Sequence, residues 1–272
     1  MSVQVVVAKY KENIDWIKKC PHDTVVYSKS PADNNYVPHG KDGEASSYFR
    51  YILDHYDDLK EWTLFVHGHE HHWHHPMSIL KSCEIDTKSL PKTCKFFSVN
   101  HGKWGIRDKY TDYKLQHKTM PIMVNKNTRR DAMSSELTSD EYTEALIQLF
   151  GVEEFNAMMS KNFPNSNKIE YQIYPMSSQF YVHKDRILAR PKSFYQRCYR
   201  IFEDMDLKHD NTLSKLLSKK AKCAHYQKRR IAGFFFETLW HYIFGEELLY
   251  RPVYFAYNNY PFRKKWHLNH SV

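Results

Sequence analysis

The first hundred residues alternate short apolar runs with helix-like segments, and this order limits the chain to few folds. Four runs rich in β-branched and aromatic residues are predicted as buried strands, at residues 3–8, 24–27, 62–66 and 95–99. Helices are predicted between them at 12–19 and 44–56, and in the second of these the apolar residues recur on one face. This alternation predicts an α/β fold with a single open, largely parallel sheet flanked by helices.

The rest of the chain is predicted as a mixture of helices and strands without internal repeats. Helices are expected at 142–150, 153–160, 191–203, 212–224 and 231–244, and strands at 169–174 and 179–182. A chain of 272 residues is long enough for one large domain or two small ones, with ample core.

Composition limits how this chain can bind phosphate and which partners suit it. The eight glycines form no Walker-type loop and no Gly-x-Gly-x-x-Gly motif, so a phosphate site must use side chains, a metal ion or a helix N-terminus. The formal charge of +9 favours anionic partners, such as nucleic acid, nucleotide-activated small molecules or an acidic surface. The basic run at 215–230 is typical of a solvated helix face or of an anion-binding surface.

Cysteine spacing and the N-terminal sequence bear on the compartment. The five cysteines are widely spaced and contain no Cys-x-x-Cys, which excludes a cysteine zinc finger and fits a reducing compartment. The N-terminus lacks the features of a signal peptide, and no segment approaches the ~20 apolar residues of a membrane span. We therefore expect a soluble protein located in the cytoplasm.

Residues 67–75, here called the histidine tract, contain six of the seventeen histidines and follow the predicted strand 62–66. Ligands in open α/β sheets gather outside the carboxyl ends of the strands, and imidazole binds transition metals well. In an extended segment His67 and His69 project to the same side, and Glu70 adds a carboxylate. The tract predicts either a metal or phosphate site, in which two or three of these groups take part, or a solvated polar loop. It is not a zincin helix, because Trp73 stands where His-Glu-x-x-His requires the second histidine.

Glu237 is the one carboxylate in the apolar helix predicted at 231–244. Burial among aromatic side chains would raise its pKa and make it a better base near neutrality. The alternative is a structural glutamate paired with a nearby arginine such as Arg229.

Six blocks of the sequence, in order, resemble a family of unassigned function that is common in fungi. They also resemble nucleotide-sugar-dependent glycosyltransferases of the GT-A fold, in particular the xylosyltransferase-like proteins of chlorella viruses. The blocks are VVVAKYKE (5–12), VVYSK (25–29), GEASSY (43–48), LFVHGHEHHWHH (64–75), SQFYVHKDRI (178–187) and ETLWHYIFG (237–245). The resemblance covers most of the chain except about 103–167.

The resemblance implies one glycosyltransferase domain over 1–272. Its parts would be a nucleotide-sugar-binding half at 1–102, a helical insertion at 103–167 and an acceptor-side half at 168–272. GT-A enzymes usually bind Mn2+ and the donor diphosphate through an Asp-x-Asp motif at the end of a central strand. This chain has the histidine tract at that point instead. The implied metal ligands are therefore His67, His69, Glu70 and His74, with His267 or His270 completing the site.

The resemblance also implies an inverting reaction on a UDP-sugar, with UDP-xylose as the donor and an oligosaccharide or glycoprotein as the acceptor. Glu237 is the implied general base. The implied donor-binding residues are Lys9, Tyr10, Lys29, Glu44 and Arg186. If the chain is viral, its expected location is the host cytoplasm.

Two other functions are compatible with the sequence. One is a nucleic-acid-binding protein that uses the basic run at 215–230, although weak aromatic interleaving makes nucleic acid the less favoured partner. The other is a histidine-ligated metal enzyme that hydrolyses phosphoesters.

Overall fold

The computed structural model describes residues 2–38, 43–71, 78–99, 119–123, 137, 139–166, 169, 171–175, 178–207, 211–218 and 231–248, here called the described residues. Their strands are β1 (Val3–Lys9), β2 (Asp23–Ser28), β3 (Trp62–His67), β4 (Phe96–Ser98), β5 (Thr119–Met123), β6 (Tyr171–Pro175) and β7 (Phe180–His183). Their α-helices are α1 (Ala45–His55), α2 (Ile79–Cys83), α3 (Ser139–Phe150), α4 (Val152–Asn162), α5 (Lys184–Leu188), α6 (Lys192–Leu207), α7 (Thr212–Leu217), α8 (Ile231–Glu237) and α9 (Trp240–Ile243). Two 3-10 helices lie at Asp15–Lys19 and Thr87–Ser89.

Five strands form one open sheet in the order β2-β1-β3-β7-β4. Strand β1 pairs in parallel with both β2 and β3, whereas β7 is antiparallel to both β3 and β4. Four of the five strands therefore point in the same direction, with β7 reversed between β3 and β4. The predicted α/β fold with a single, largely parallel sheet flanked by helices is confirmed.

Successive side chains of the central strands enter two separate apolar cores, as the alternation of a pleated strand requires. Val6 and Phe65 face the larger core, which contains α1, α6 and α8. Val5 and Leu64 face the smaller core, which contains the 3-10 helix Asp15–Lys19 and α2. All six residues of β3 are buried, because helices cover both of its faces.

Several local predictions differ from the structure; among them, the helix predicted at 212–224 ends at Leu217. The segment 103–167 contains not only helices but also β5, which pairs with β6 in a separate two-stranded sheet. The segment 12–19 is helical only from Asp15, and its helix is of the 3-10 type. The helix predicted at 231–244 is interrupted after Glu237, where the Thr238 hydroxyl donates to the Phe235 carbonyl oxygen at 2.8 Å and competes with the helical ladder.

Replacing Phe180 tests how strongly β7 anchors the larger core. Its buried ring lies 5.2 Å from the Phe65 and Phe96 rings and 5.6 Å from the Trp240 ring, measured between centroids. We expect Phe180→Ala to lower the free energy of unfolding by about 3–5 kcal/mol, through lost burial and an unfilled cavity. Leu188→Ala is the control, because Leu188 is 46% exposed and should change stability by no more than ~0.5 kcal/mol. Equal effects in urea unfolding would contradict this role.

The buried His241 side chain is expected to lower the free energy of unfolding in acid. It is fully buried, and burial lowers its pKa from the ordinary 6.5 to about 4. Between these two values the unfolded chain binds a proton that the folded chain rejects, so stability falls as the pH falls from 6.5 to 4 and levels off below. The expected loss from this residue is about 3 kcal/mol. His241→Gln should flatten this part of the stability–pH curve. An unaltered slope in His241→Gln would contradict the assignment.

Candidate functional site

The carboxyl ends of β1, β2 and β3 lie together at one end of the sheet, here called the carboxyl edge. The chain leaves β1 towards β2 and leaves β3 towards the other side of the sheet, so the two neighbouring strands form a topological switch point. Ligand sites in open α/β sheets form at such points. Buried polar side chains are concentrated here: Ser28, Ser46, Ser47, His67, Ser98, Ser178 and Gln179.

Two lysines predicted to bind the donor lie at this edge, directly at the ends of β1 and β2. Lys9 Nζ is 2.7 Å from Asp33 Oδ2, and the ion pair holds the pKa of Asp33 below its ordinary value. Lys29 Nζ donates to the buried Ser46 hydroxyl at 2.6 Å. Ser46 belongs to the first turn of α1, whose N-terminus carries the positive end of the helix dipole. Two ammonium groups and a helix N-terminus therefore lie at this edge, and Asp33 balances the charge of Lys9.

His67 ends β3 and is held by a residue from the other half of the chain. It is 5% exposed, and its Nε2 lies 3.0 Å from the side-chain amide nitrogen of Gln179. Because that nitrogen donates, His67 Nε2 accepts. Among the described residues the amide oxygen of the fully buried Gln179 has no hydrogen-bond partner, and neither has the buried Ser47 hydroxyl. Buried polar atoms without partners are rare, and they often mark a place for a ligand or water.

Glu44 and Glu237 both lie near Tyr48, a residue that contacts the start of β7 at the same edge. The buried Tyr48 hydroxyl donates to the Ser178 carbonyl oxygen at 2.7 Å, next to Gln179. Burial raises the pKa of Tyr48, and the negative charges of Glu44 and Glu237 raise it further, which requires both carboxylates to be near. Glu237 is half-buried at the end of α8, where the predicted helix breaks. The charge of the candidate base is thus felt at Tyr48, whose hydroxyl contacts the start of β7.

Glu12 organises the turn after β1 and brings His69 to it. Its carboxylate accepts the backbone N–H groups of Tyr10 at 2.5 Å and Lys11 at 3.0 Å, and it lies 3.4 Å from His69 Nε2. Gly68 permits this approach, because a Cβ there would lie 3.0 Å from Glu12 Oε2. Sequence reasoning did not single out Glu12 or Gln179. The presence of both in the matching blocks was the only signal available for them.

Glu70 is occupied within the protein. Its carboxylate accepts the Ser78 hydroxyl at 2.8 Å, and its carbonyl oxygen accepts the Ile79 N–H at 2.8 Å, so it ties the start of α2 to the histidine tract. His71 Nε2 lies 3.6 Å from the same carboxylate. This role suits a structural carboxylate better than a metal ligand.

The described residues hold only part of the metal site that the resemblance implies. They contain no group of three or more His, Cys, Asp or Glu side chains arranged to hold a metal ion. His67 is engaged by Gln179, and His69 by Glu12. His74, His267 and His270 lie outside the described residues.

Arg186 is not brought together with the other predicted donor-binding residues. It follows β7, which runs away from the carboxyl edge, so it lies at the opposite end of the sheet. There its guanidinium donates to the Gly245 carbonyl oxygen at 3.0 Å and to Glu246 at 3.1 Å. Tyr10, by contrast, lies at the carboxyl edge and is 51% exposed. Arg229, proposed as a partner of Glu237, lies outside the described residues.

A model of the DUF3431 family, described as a protein of unknown function, matches residues 5–256, and the chain belongs to this family. A comparison with curated proteins finds no match. Among solved structures, the apo structure of the WbbM bifunctional glycosyltransferase is similar at 15% identity and a TM-score of 0.38. The similar region covers 90% of this chain and 42% of the other, so this chain spans less than half of that protein. A structural similarity this weak carries no argument about activity.

Within the part of the chain that the structure describes, no helix combines the length and the apolar character of a membrane span.

Gly68→Ala tests whether Glu12 must lie against the start of the histidine tract. The new methyl group would displace the Glu12 carboxylate, so we expect the free energy of unfolding to fall by about 1–3 kcal/mol. Glu12→Ala removes Oε2 and Cδ, two of the three Glu12 atoms that the new methyl group would meet, and the double variant should therefore be more stable than the sum of the single effects predicts, by at least ~0.5 kcal/mol. Additive effects in denaturant unfolding would show that the two residues do not press on each other.

Proposed function

We propose that this member of the DUF3431 family is an inverting glycosyltransferase that uses a nucleotide-diphosphate sugar. Two features support the proposal: two lysines and a helix N-terminus lie at the carboxyl edge, and the charge of Glu237 acts on Tyr48, whose hydroxyl contacts the Ser178 carbonyl oxygen at that edge. Glycosyl transfer from such a donor needs these two kinds of group within one site, since a diphosphate leaves while an acceptor hydroxyl loses its proton.

The positive groups suit the departing diphosphate. As the bond between the anomeric carbon and the phosphate oxygen breaks, negative charge grows on that oxygen, and fixed cations stabilise it. Lys9 and Lys29 end neighbouring strands, and each is already oriented, by Asp33 and Ser46 respectively. The N-terminus of α1 adds a further partial positive charge beside Lys29. A glycine-rich phosphate loop is not required for this arrangement.

Glu237 is the proposed general base. In inversion the acceptor oxygen attacks the anomeric carbon from the face opposite the diphosphate, and a carboxylate takes the hydroxyl proton. Glu237 is half-buried near Tyr48, on the α1 side of the sheet. The unpartnered amide oxygen of Gln179 and the Ser47 hydroxyl offer hydrogen bonds that a sugar hydroxyl group could complete.

The finer features of the proposal rest on the sequence resemblance alone. They are UDP-xylose as the donor, an oligosaccharide or glycoprotein as the acceptor, and a viral origin, whereas the expected cytoplasmic location rests on the cysteine spacing and the N-terminal sequence. Manganese also stays a prediction, because the described residues do not form its site.

Neither alternative function is favoured by a specific observation. The prediction of a nucleic-acid-binding protein depends on the basic run at 215–230, of which 219–230 lie outside the described residues. The metal phosphoesterase requires a ligand group that the described residues do not supply.

A panel of nucleotide sugars tests the proposed activity. The full chain is incubated with each donor, with and without manganese and with a chelator, and release of the free nucleotide is measured. We expect at least one UDP-sugar to bind and to be turned over, and the chelated sample shows whether a metal is needed. Failure of every donor to bind or react under all three conditions would rule out the proposal.

Lys29→Met and Lys9→Met should weaken donor binding. Each removes a charge-assisted hydrogen bond to the diphosphate, worth about 1.5–3 kcal/mol, so the Kd should rise roughly 10- to 100-fold in calorimetry. Lys192→Met is the matched control, because Lys192 also forms an ion pair, at 2.8 Å to Asp57 beyond the C-terminal end of α1. Equal Kd values for all three variants and the unaltered chain would remove the lysines from the site.

Glu237→Gln should reduce turnover by ~10²–10⁴-fold, the range for a lost general base. Donor affinity should stay nearly constant, because the carboxylate acts in the transition state rather than in the bound ground state. Glu247→Gln is the control, since Glu247 is an exposed glutamate paired with Lys161. If Glu237→Gln lowers the melting temperature but keeps the rate per folded molecule, Glu237 is structural.

A further inference from the structure

Cys20 and Cys83 meet on the face of the sheet that is covered by α2. Cys20 follows the 3-10 helix Asp15–Lys19, and Cys83 is the last residue of α2. Cys83 is completely buried in the smaller core, and the half-buried Cys20 packs against that core. The two thiols are hydrogen-bonded to each other, and His22 Nε2 lies 2.8 Å from the Cys83 carbonyl oxygen. Two residues 63 positions apart in the sequence are thus held side by side.

The environment of the two sulfur atoms is unequal. The Cys20 sulfur accepts hydrogen bonds, foremost from the Cys83 thiol and also from the His22 backbone N–H. These donors, above all Cys83, lower the pKa of Cys20 to about 6, whereas the pKa of Cys83 is raised by its role as donor and by burial. The shifts favour the thiolate form at Cys20 and the neutral thiol at Cys83. A partly exposed thiolate beside a second thiol is the arrangement of a redox-active pair.

The other described cysteines lack these features. Cys94 is buried, and burial raises its pKa to about 12. Cys198 is also buried, and burial raises its pKa too. Because the thiolate is the reactive form, Cys20 is the expected nucleophile among the described cysteines. Cys223 lies outside them.

We propose that Cys20 and Cys83 form a reversible disulfide when the protein meets a peroxide. The Cys20 thiolate attacks one peroxide oxygen, the O–O bond breaks, and Cys20 becomes a sulfenic acid while hydroxide leaves and is protonated to water. The Cys83 sulfur then attacks the Cys20 sulfur, a second water leaves with the Cys83 proton, and the S–S bond forms. In total two thiols are oxidised, and one hydrogen peroxide is reduced to two waters. A dithiol or thiol reductant reverses the reaction by exchange.

The disulfide would act on the element that anchors the histidine tract. Cys83 ends the same short helix whose first residues bind Glu70, through the Ser78 hydroxyl and the Ile79 N–H. Tyr181 of β7 donates to the Ser82 carbonyl oxygen at 3.0 Å, which fixes the helix to the sheet. Oxidation would therefore link α2 covalently to the segment that enters β2. This inference does not depend on the proposed transfer reaction.

Peptide mapping tests the disulfide directly. The full chain is treated with one equivalent of hydrogen peroxide, its free thiols are blocked with N-ethylmaleimide under denaturing conditions, and it is digested and examined by mass spectrometry. We expect a peptide that links Cys20 to Cys83, with a mass loss of two hydrogens that a reductant restores. Recovery of both residues as maleimide adducts, or linkage of either one to Cys223, would overturn the proposal.

Three variants test the separate roles of Cys20 and Cys83. Cys83→Ser should stop at a Cys20 sulfenic acid that dimedone traps, whereas Cys20→Ser should leave Cys83 unoxidised. Cys198→Ser is the matched control, and it should form the Cys20–Cys83 link to the same extent as the unaltered chain. Circular dichroism shows whether each variant is folded. The peptide-mapping result for the unaltered chain does not depend on the variants. Oxidation of Cys83 in Cys20→Ser at the unaltered rate would refute the role of Cys20 as nucleophile.

Discussion

The pairing of β3 is the constraint on which the rest of the structure depends. This strand is buried along its whole length, pairs with β1 in parallel and pairs with β7 in antiparallel orientation. Its register aligns His67 with Ala8, and Phe65 with Phe180. A slip by one residue would turn Phe65 and His67 to the opposite face of the sheet. The same register therefore fills the larger core and places His67 beside Gln179.

The reversed strand β7 explains why residues from distant parts of the sequence meet at the carboxyl edge. A fifth parallel strand would have carried its preceding residues to the other end of the sheet. Because β7 is antiparallel, Ser178 and Gln179 enter it at the carboxyl edge and contact Tyr48 and His67. The same reversal takes Arg186 away from that edge and pairs it with Glu246. The reversed direction of β7 therefore decides which polar residues of the segment 178–187 lie at the carboxyl edge.

The sequence predicted the sheet well and the site only in part. Apolar runs identify β1, β2 and β3, and the carboxyl-end rule points to His67, whereas Lys9 and Lys29 were implied by the resemblance. Periodicity does not report strand direction, so the position of Arg186 could not be foreseen. Contacts such as Tyr48 with Ser178, 130 residues apart, have no local signal either. The break after Glu237 arises from one hydroxyl group, which outweighs the helical pattern around it.

A crystal structure of the chain soaked with UDP-xylose or a non-reacting analogue tests the proposed site most directly. The account predicts that the diphosphate lies at the carboxyl edge, within hydrogen-bonding distance of the Lys9 or Lys29 ammonium group. The anomeric carbon should face the side of α1 where Glu237 approaches Tyr48. A donor bound at the opposite end of the sheet, beside Arg186, with its diphosphate out of reach of both lysines, would contradict it.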